Sequence, residues 1–342
     1  MAMETASKAA RVPAIDFTKG ILVLIMVLYH WLNYFVSPRG DFYKYLRFLT
    51  PSFICISGFL ISHTYFSKYD ISDLRLPKRL LARGLKILGV FILLNAVISV
   101  LVGGPSHGKP FFFHMGLREA LATYVAGNVF ITGMGRGVAF YILVPIGYLL
   151  LLSAGLLVVC RQHKYTFHAV CAFFLVSIFV LHLNDFQSAN LELITIGLLG
   201  VILGYLPARR INSLIRFTFP LAAAYLGYLA AITFWREIFP LQVVGVFLSL
   251  AIIYMVGTRS GELGLARRSV LTLGKYSLFG YIAQVALLQL LHRTLRHINL
   301  DTPALGLTLL AGIALTLMSV IAVDQARGKA IIVDRLYKAV FA

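Results

Sequence analysis

Acidic side chains are scarce in this chain: 13 Asp and Glu stand against 31 Lys and Arg over 342 residues, leaving a formal net charge of +18. Cysteine is scarcer still. The three cysteines, Cys55, Cys160 and Cys171, form no CxxC pair, which excludes a disulfide framework and reads as small apolar side chains in or beside apolar segments. Charged residues of both signs make up only 13% of the sequence. No internal repeat relates the two halves, no low-complexity stretch interrupts them, and no soluble domain is set apart. What abounds is apolar: 59% hydrophobic residues and a mean hydropathy of +0.85 are far from the soluble average and imply a chain immersed in lipid.

Ten stretches are long enough to cross about 30 Å of hydrocarbon as helices: residues 20–36, 49–66, 80–102, 138–159, 165–183, 190–206, 216–235, 239–257, 270–291 and 303–323. An eleventh, 119–134, is short, carries Asn128 and several small residues, and reads as a re-entrant or surface helix. The expected fold is all-α, a polytopic integral membrane protein of about ten transmembrane helices forming one membrane domain over 1–342. No cleavable signal precedes the first span, which is expected to stay.

A charge of +18 would suit a nucleic-acid binder, so its distribution decides. With ten spans and both termini cytoplasmic, 22 of the 31 Lys and Arg lie inside, six of them in 67–86, and 9 outside. Counting 119–134 as a span would send Arg209, Arg210, Arg267 and Arg268 outward, against the positive-inside rule. The excess charge is topology and attraction to anionic lipid, and no nucleic-acid partner is expected.

The first span holds the feature that packing alone explains worst. His30 lies within an otherwise aliphatic run, and Lys19 lies eleven residues upstream at its mouth. Eleven residues at about 100° each complete three turns plus roughly 20°, so both side chains leave one face, about 16 Å apart along the axis. Asp16, Asn33 and Ser37 fall within an arc of roughly 100° around them. A polar stripe on a membrane helix faces protein or water, and an ionisable group on it is a functional-site candidate by default. Asp16 reads either as a helix cap or as the partner of Lys19 three residues on. Lys19 reads either as a snorkelling interface residue or as a fixed cation at the floor of a tunnel.

Asp16-Phe-Thr-Lys19-Gly20, an aliphatic run, then Tyr29-His30, followed by Pro51-Ser-Phe-Ile-Cys-Ile-Ser57-Gly58-Phe59-Leu60, resembles the acyltransferase-3 superfamily of integral membrane acyltransferases. Members commonly carry a basic residue eleven positions before a first-helix histidine and a Ser-Gly-Phe-like turn in the second span. Leu273-Gly274-Lys275-Tyr276-Ser277-Leu278-Phe279-Gly280-Tyr281 is similar to the family's penultimate-helix pattern, and ten spans is its usual count. Two positions depart from it: Lys19 replaces the usual arginine and so lacks its planar fork, and Gln284 stands where many members have histidine.

The resemblance implies O-acyl transfer, most simply of an acetyl group, from cytoplasmic acyl-CoA to a hydroxyl of a glycan or lipid-linked sugar in the cell membrane. No cofactor or metal is expected to be bound; acyl-CoA is a cosubstrate, and the oligomeric state is open. Thioester-to-hydroxyl transfer needs a base or a transient acyl carrier, and an imidazole can serve as either near neutral pH. His30 is the candidate, with Lys19 and Asp16 beside it and His63 as the nearest rival. Asn33, Ser57 and a polar line of Tyr276, Ser277, Tyr281 and Gln284 are candidate substrate or donor contacts. Arg75, Lys78, Arg79 and Arg83 in the loop 67–86 are candidates for the coenzyme A phosphates, although the positive-inside rule alone would also produce them. A different class, a secondary transporter or a flippase for lipid or polysaccharide precursors, would need carboxylates at mid-membrane. Asp16, Asp185, Glu192, Glu237 and Asp324 all fall at span ends.

Overall fold

The computed structural model describes residues 12–341 apart from 38–39, 67, 71, 103–117, 119–139, 161–162, 185–187, 207–209, 212, 214–216, 236–237, 260–263 and 299–300. All regular structure among them is helical: α1 Pro13–Trp31, α2 Leu49–Leu60, α3 Arg75–Val102, α4 Leu143–Val159, α5 Lys164–Leu183, α6 Ala189–Leu203, α7 Thr218–Phe234, α8 Phe239–Arg259, α9 Gly264–Lys275, α10 Ser277–Leu295, α11 Thr302–Lys329 and α12 Ile331–Phe341. Each of the ten apolar stretches carries a helix, whereas 119–134 lies outside the described residues. Six helices are long and apolar enough to span alone, a seventh candidate is the α9–α10 pair, and α4, α6 and α7 are shorter apolar helices. Phe173, Leu226, Leu307 and Leu310 stand exposed on helix flanks, as lipid-facing side chains do.

Local chemistry sets the helix starts. Pro13 opens α1, where its missing N–H is no loss. The Asp301 carboxylate accepts from the Ala304 N–H at 3.0 Å and caps α11, and Ser188 caps α6 by accepting from Leu191 N–H at 3.2 Å.

The described residues form two compact units. In the first, Ile54–Pro207, α2 and α6 touch backbone to backbone: a Cβ at Gly58 would strike the Gly197 carbonyl, and one at Gly200 the Cys55 carbonyl. Gly58 is thereby explained by packing.

In the second unit, Arg11–Phe53 with Ala208–Ala342, α1 is the central helix. Val23 is sealed against Leu273, Tyr276 and Val320, and Val27 and Trp31 against Leu288. The Trp31 indole N–H donates to Thr308 Oγ1 at 2.8 Å and fixes the upper turn of α1 on α11. At the lower end, Gly20 meets the Val270 carbonyl and Gly274 meets the Asp16 carbonyl, so α9 runs antiparallel along α1 with the backbones in contact. At the C-terminal end of α11, Lys338 of α12 and Arg327 both reach the Asp334 carboxylate, at 2.6 and 2.5 Å, and hold it below the usual carboxylate range. That clamp lays Tyr337 and Phe341 of α12 against Tyr276 and Phe279.

Two sequence expectations change. The stretch 270–291 is not one straight span, because the chain turns by 99° between α9 and α10 at Tyr276. The six-cation loop 67–86 is helical from Arg75 onward, since Leu76, Leu80 and Ile87 bury one face of α3.

The α1–α9 contact makes a direct test. Gly274→Ala must push a methyl into the Asp16 backbone, which cannot swing aside, so we expect a loss of about 1–3 kcal/mol or more. Gly89→Ala and Gly306→Ala, whose new methyls meet nothing within 4 Å, should be neutral or stabilising. Thermal unfolding of the three variants in detergent checks this; equal midpoints would show that the helices are not in backbone contact.

Candidate functional site

α1 is uninterrupted from Pro13 to Trp31, so the eleven-residue spacing holds and Lys19 and His30 share a face. At the lower end the Lys19 ammonium lies 2.8 Å from the Asp16 carboxylate, their side chains 17% and 11% exposed. The N-cap is Val12, and among the described residues no side-chain hydrogen bond caps that end. Of the two readings of Asp16, the ion pair is the one formed. Two charges so little exposed are held together because neither could be left alone at the edge of hydrocarbon.

At the upper end His30 is half-buried among tyrosines. The Tyr29 ring meets it edge-on at 5.2 Å, Tyr34 lies nearly parallel at 6.1 Å, and Tyr281 reaches across from α10 at 6.5 Å. Tyr34 is itself held by the Gln289 amide, which donates to its hydroxyl at 3.1 Å, and by the His292 ring at 6.0 Å. The result is an imidazole on a rigid helix inside an aromatic collar. Tyr34 follows His30 by four residues in the chain; Gln289 and His292 could not be placed from the sequence, since only the packing of α10 brings them near.

After Trp31 the backbone widens to a π-helix over Leu32–Val36, and Ser37 leaves it in extended conformation. Asn33 and Ser37 therefore do not continue the α1 stripe. Both are engaged by Tyr43, which hydrogen-bonds the Asn33 side chain and donates to the Ser37 carbonyl at 2.7 Å. The Tyr43 ring in turn packs edge-on against Tyr29. Asn33, a candidate substrate contact, is thus tied to the Tyr43 ring beside the collar.

The polar line of α10 also divides. Tyr276 precedes the helix and points away from His30: its hydroxyl donates to Asp324 at 2.6 Å, an oxygen that also receives the Lys275 ammonium at 2.8 Å. The Arg327 guanidinium lies 5.3 Å from the centre of the Tyr276 ring. Ser277 is the first residue of α10, and Tyr281 and Gln284 lie on its buried face. The Lys275–Asp324 pair was missed in the sequence because 49 residues separate its members.

In the other unit, Ser57 precedes the close-packed Gly58, and His63 stacks on Phe59 at 4.8 Å in a second π-helical segment, Ile61–Tyr65. Arg75, Lys78, Arg79 and Arg83 are exposed on the first turns of α3. Arg75 pairs with Asp73 at 3.5 Å, Arg79 lies over Tyr69, and Arg83 donates to the Tyr65 hydroxyl at 2.8 Å. No group of three or more His, Cys, Asp and Glu that could hold a metal occurs among the described residues.

A family model described as an acyltransferase domain matches residues 12–323. Neither a curated protein nor a solved structure matches the chain. The matched region begins at the first turn of α1 and ends within α11, taking in the Lys19–His30 stripe and the Tyr276 turn. With nearly the whole chain matched and every regular element among the described residues a helix, this multi-pass membrane protein belongs to the acyltransferase-3 family.

Proposed function

We propose that the protein transfers an acyl group, most simply acetyl, from cytoplasmic acyl-CoA to a hydroxyl of a glycan or lipid-linked sugar, with His30 as the base. The observation that carries this reading is the imidazole collared by Tyr29, Tyr34 and Tyr281 on the same face as the Lys19–Asp16 pair. The acceptor oxygen attacks the thioester carbon as its proton passes to the His30 imidazole. The carbon–sulfur bond then breaks, and the thiolate leaves with that proton, giving an ester and free coenzyme A. The tyrosine rings limit water around the imidazole, which favours transfer over hydrolysis.

Lys19, about 16 Å below on the cytoplasmic side, is proposed to meet the donor, held in place by Asp16. The cations of α3, which share one exposed face, are proposed to attract the phosphates of coenzyme A to the membrane surface. With both termini inside, His30 lies about 15 Å above Gly20, where the apolar run of the first span begins, near the bilayer midplane. Donor and acceptor can then reach it from opposite sides.

The test uses protein reconstituted in vesicles of known orientation with radiolabelled acetyl-CoA on the cytoplasmic face. Label should pass to a lipid-extractable or glycan product only when an acceptor hydroxyl is supplied, and free coenzyme A should appear in equal amount. Movement of an intact glycolipid across the bilayer without label transfer would replace this reading by the flippase. Equal product with both substrates on the cytoplasmic face would refute the two-sided path alone.

A further inference from the structure

Gln284 is wholly buried on α10, and neither atom of its side-chain amide has a hydrogen-bond partner among the described residues. Buried amides are nearly always paired, and one that finds no protein partner on either atom is destabilising. Its position is informative. One turn before it is Tyr281, whose ring faces His30, and one turn after it is Leu288, packed on Val27 and Trp31 of α1. Gln284 thus lies on the face of α10 that meets the His30 level of α1, with apolar Val285 and Leu288 beside it.

We propose that the Gln284 amide nitrogen is the hydrogen-bond donor for the carbonyl oxygen of the acyl group during transfer. This assignment rests on the reading of His30 as the acyl-transfer centre. When the acceptor oxygen adds to the thioester carbon, the carbonyl oxygen becomes an oxyanion. A donor fixed in a water-free, low-dielectric place stabilises that charge without having to reorganise. An amide suits the position better than a cation, because a neutral N–H can remain buried and unpaired between turnovers at far smaller cost than a charge. The amide is an unfilled donor whose partner arrives with the substrate.

The signature that separates this role from a structural one is a pair of opposite signs. Gln284→Met keeps the length of the side chain and removes the unpaired polar atoms. It should raise the thermal midpoint of the unliganded protein, by about 2 °C or more, while lowering kcat/KM for transfer by about 10²–10³. Gln284→Leu gives a second variant with the same two expected signs. Two unreactive coenzyme A derivatives supply a readout independent of turnover: a ketone in which a methylene replaces the thioester sulfur, and the S-ethyl thioether, which has no carbonyl. Wild-type protein should bind the ketone at least about tenfold more tightly by calorimetry, and both variants should lose that preference. A lowered midpoint with the preference intact would make Gln284 a structural amide and overturn the assignment while leaving His30 in place. Failure of the wild type to bind either derivative would overturn the acyl-CoA reading, and this assignment with it.

Discussion

His30→Ala is expected to lower acyl transfer by at least about a hundredfold, the usual scale on which a general base is lost, with little effect on folding. The second half of that expectation comes from the packing. The helix around His30 is secured by neighbours that the substitution leaves alone: Val27 and Trp31 against Leu288, and the Trp31 indole on Thr308 at 2.8 Å. Removing a half-buried imidazole opens space within the collar, but Tyr34 keeps its hydrogen bond from Gln289 and Tyr29 its contact with Tyr43. Tyr281→Phe keeps the ring beside His30 and is the control, expected to act far more weakly. Rates measured on protein shown to be monodisperse and unfolding near the wild-type temperature decide the matter. An alanine variant of normal stability that turns over at a near-normal rate would end the assignment, and His63→Ala would then be the next variant to measure.

The stripe on the first helix was legible because it depends on one number, the helical repeat, and α1 keeps that repeat from Pro13 to Trp31. It stopped being legible at Leu32, where the backbone passes into a π-turn. No residue in Leu32–Val36 announces that change, since all five fit an α-helix equally well; what accompanies it is tertiary, with Asn33 and the Ser37 carbonyl bound by Tyr43. The turn between α9 and α10 escaped for a similar reason. Gly274-Lys275-Tyr276-Ser277 contains no proline, and an apolar window registers length rather than direction. The chain turns there because Gly274 is packed on the Asp16 backbone while Tyr276 is tied to Asp324.

The charge pattern was legible at a coarser level. It anticipated a cationic cluster after the second span, yet a count cannot distinguish loop from helix, and only the burial of Leu76, Leu80 and Ile87 shows that Arg75, Lys78, Arg79 and Arg83 project from α3. The unpaired state of Gln284 could not be read from the sequence in any form. A glutamine next to Tyr281 on a helix is ordinary until the neighbouring helices are seen to leave its amide without a partner.

Lys19→Met should abolish most transfer, but alone it would prove little, because it strands the Asp16 carboxylate. Asp16 is 8% exposed, with its backbone fixed against Gly274, so the carboxylate cannot readily move to water. Breaking a pair of this kind costs up to about 3 kcal/mol. The double variant Asp16→Asn with Lys19→Met removes both charges together and should recover most of that stability, much as replacing a whole buried pair is often neutral. The two roles of Lys19 then part. If the ammonium only neutralises Asp16, activity returns with stability in the double variant. If it meets the donor, as we propose, the double variant is stable and still inactive, with its loss expressed mainly as a raised KM for acyl-CoA. Lys19→Arg tests charge against shape: a guanidinium at that position can keep both Asp16 and an anionic donor, so much of the activity should survive. The deciding measurements are unfolding midpoints and acyl-CoA saturation curves for all three variants under one set of conditions, with full activity in the stable double variant returning Lys19 to the role of a snorkelling partner for Asp16.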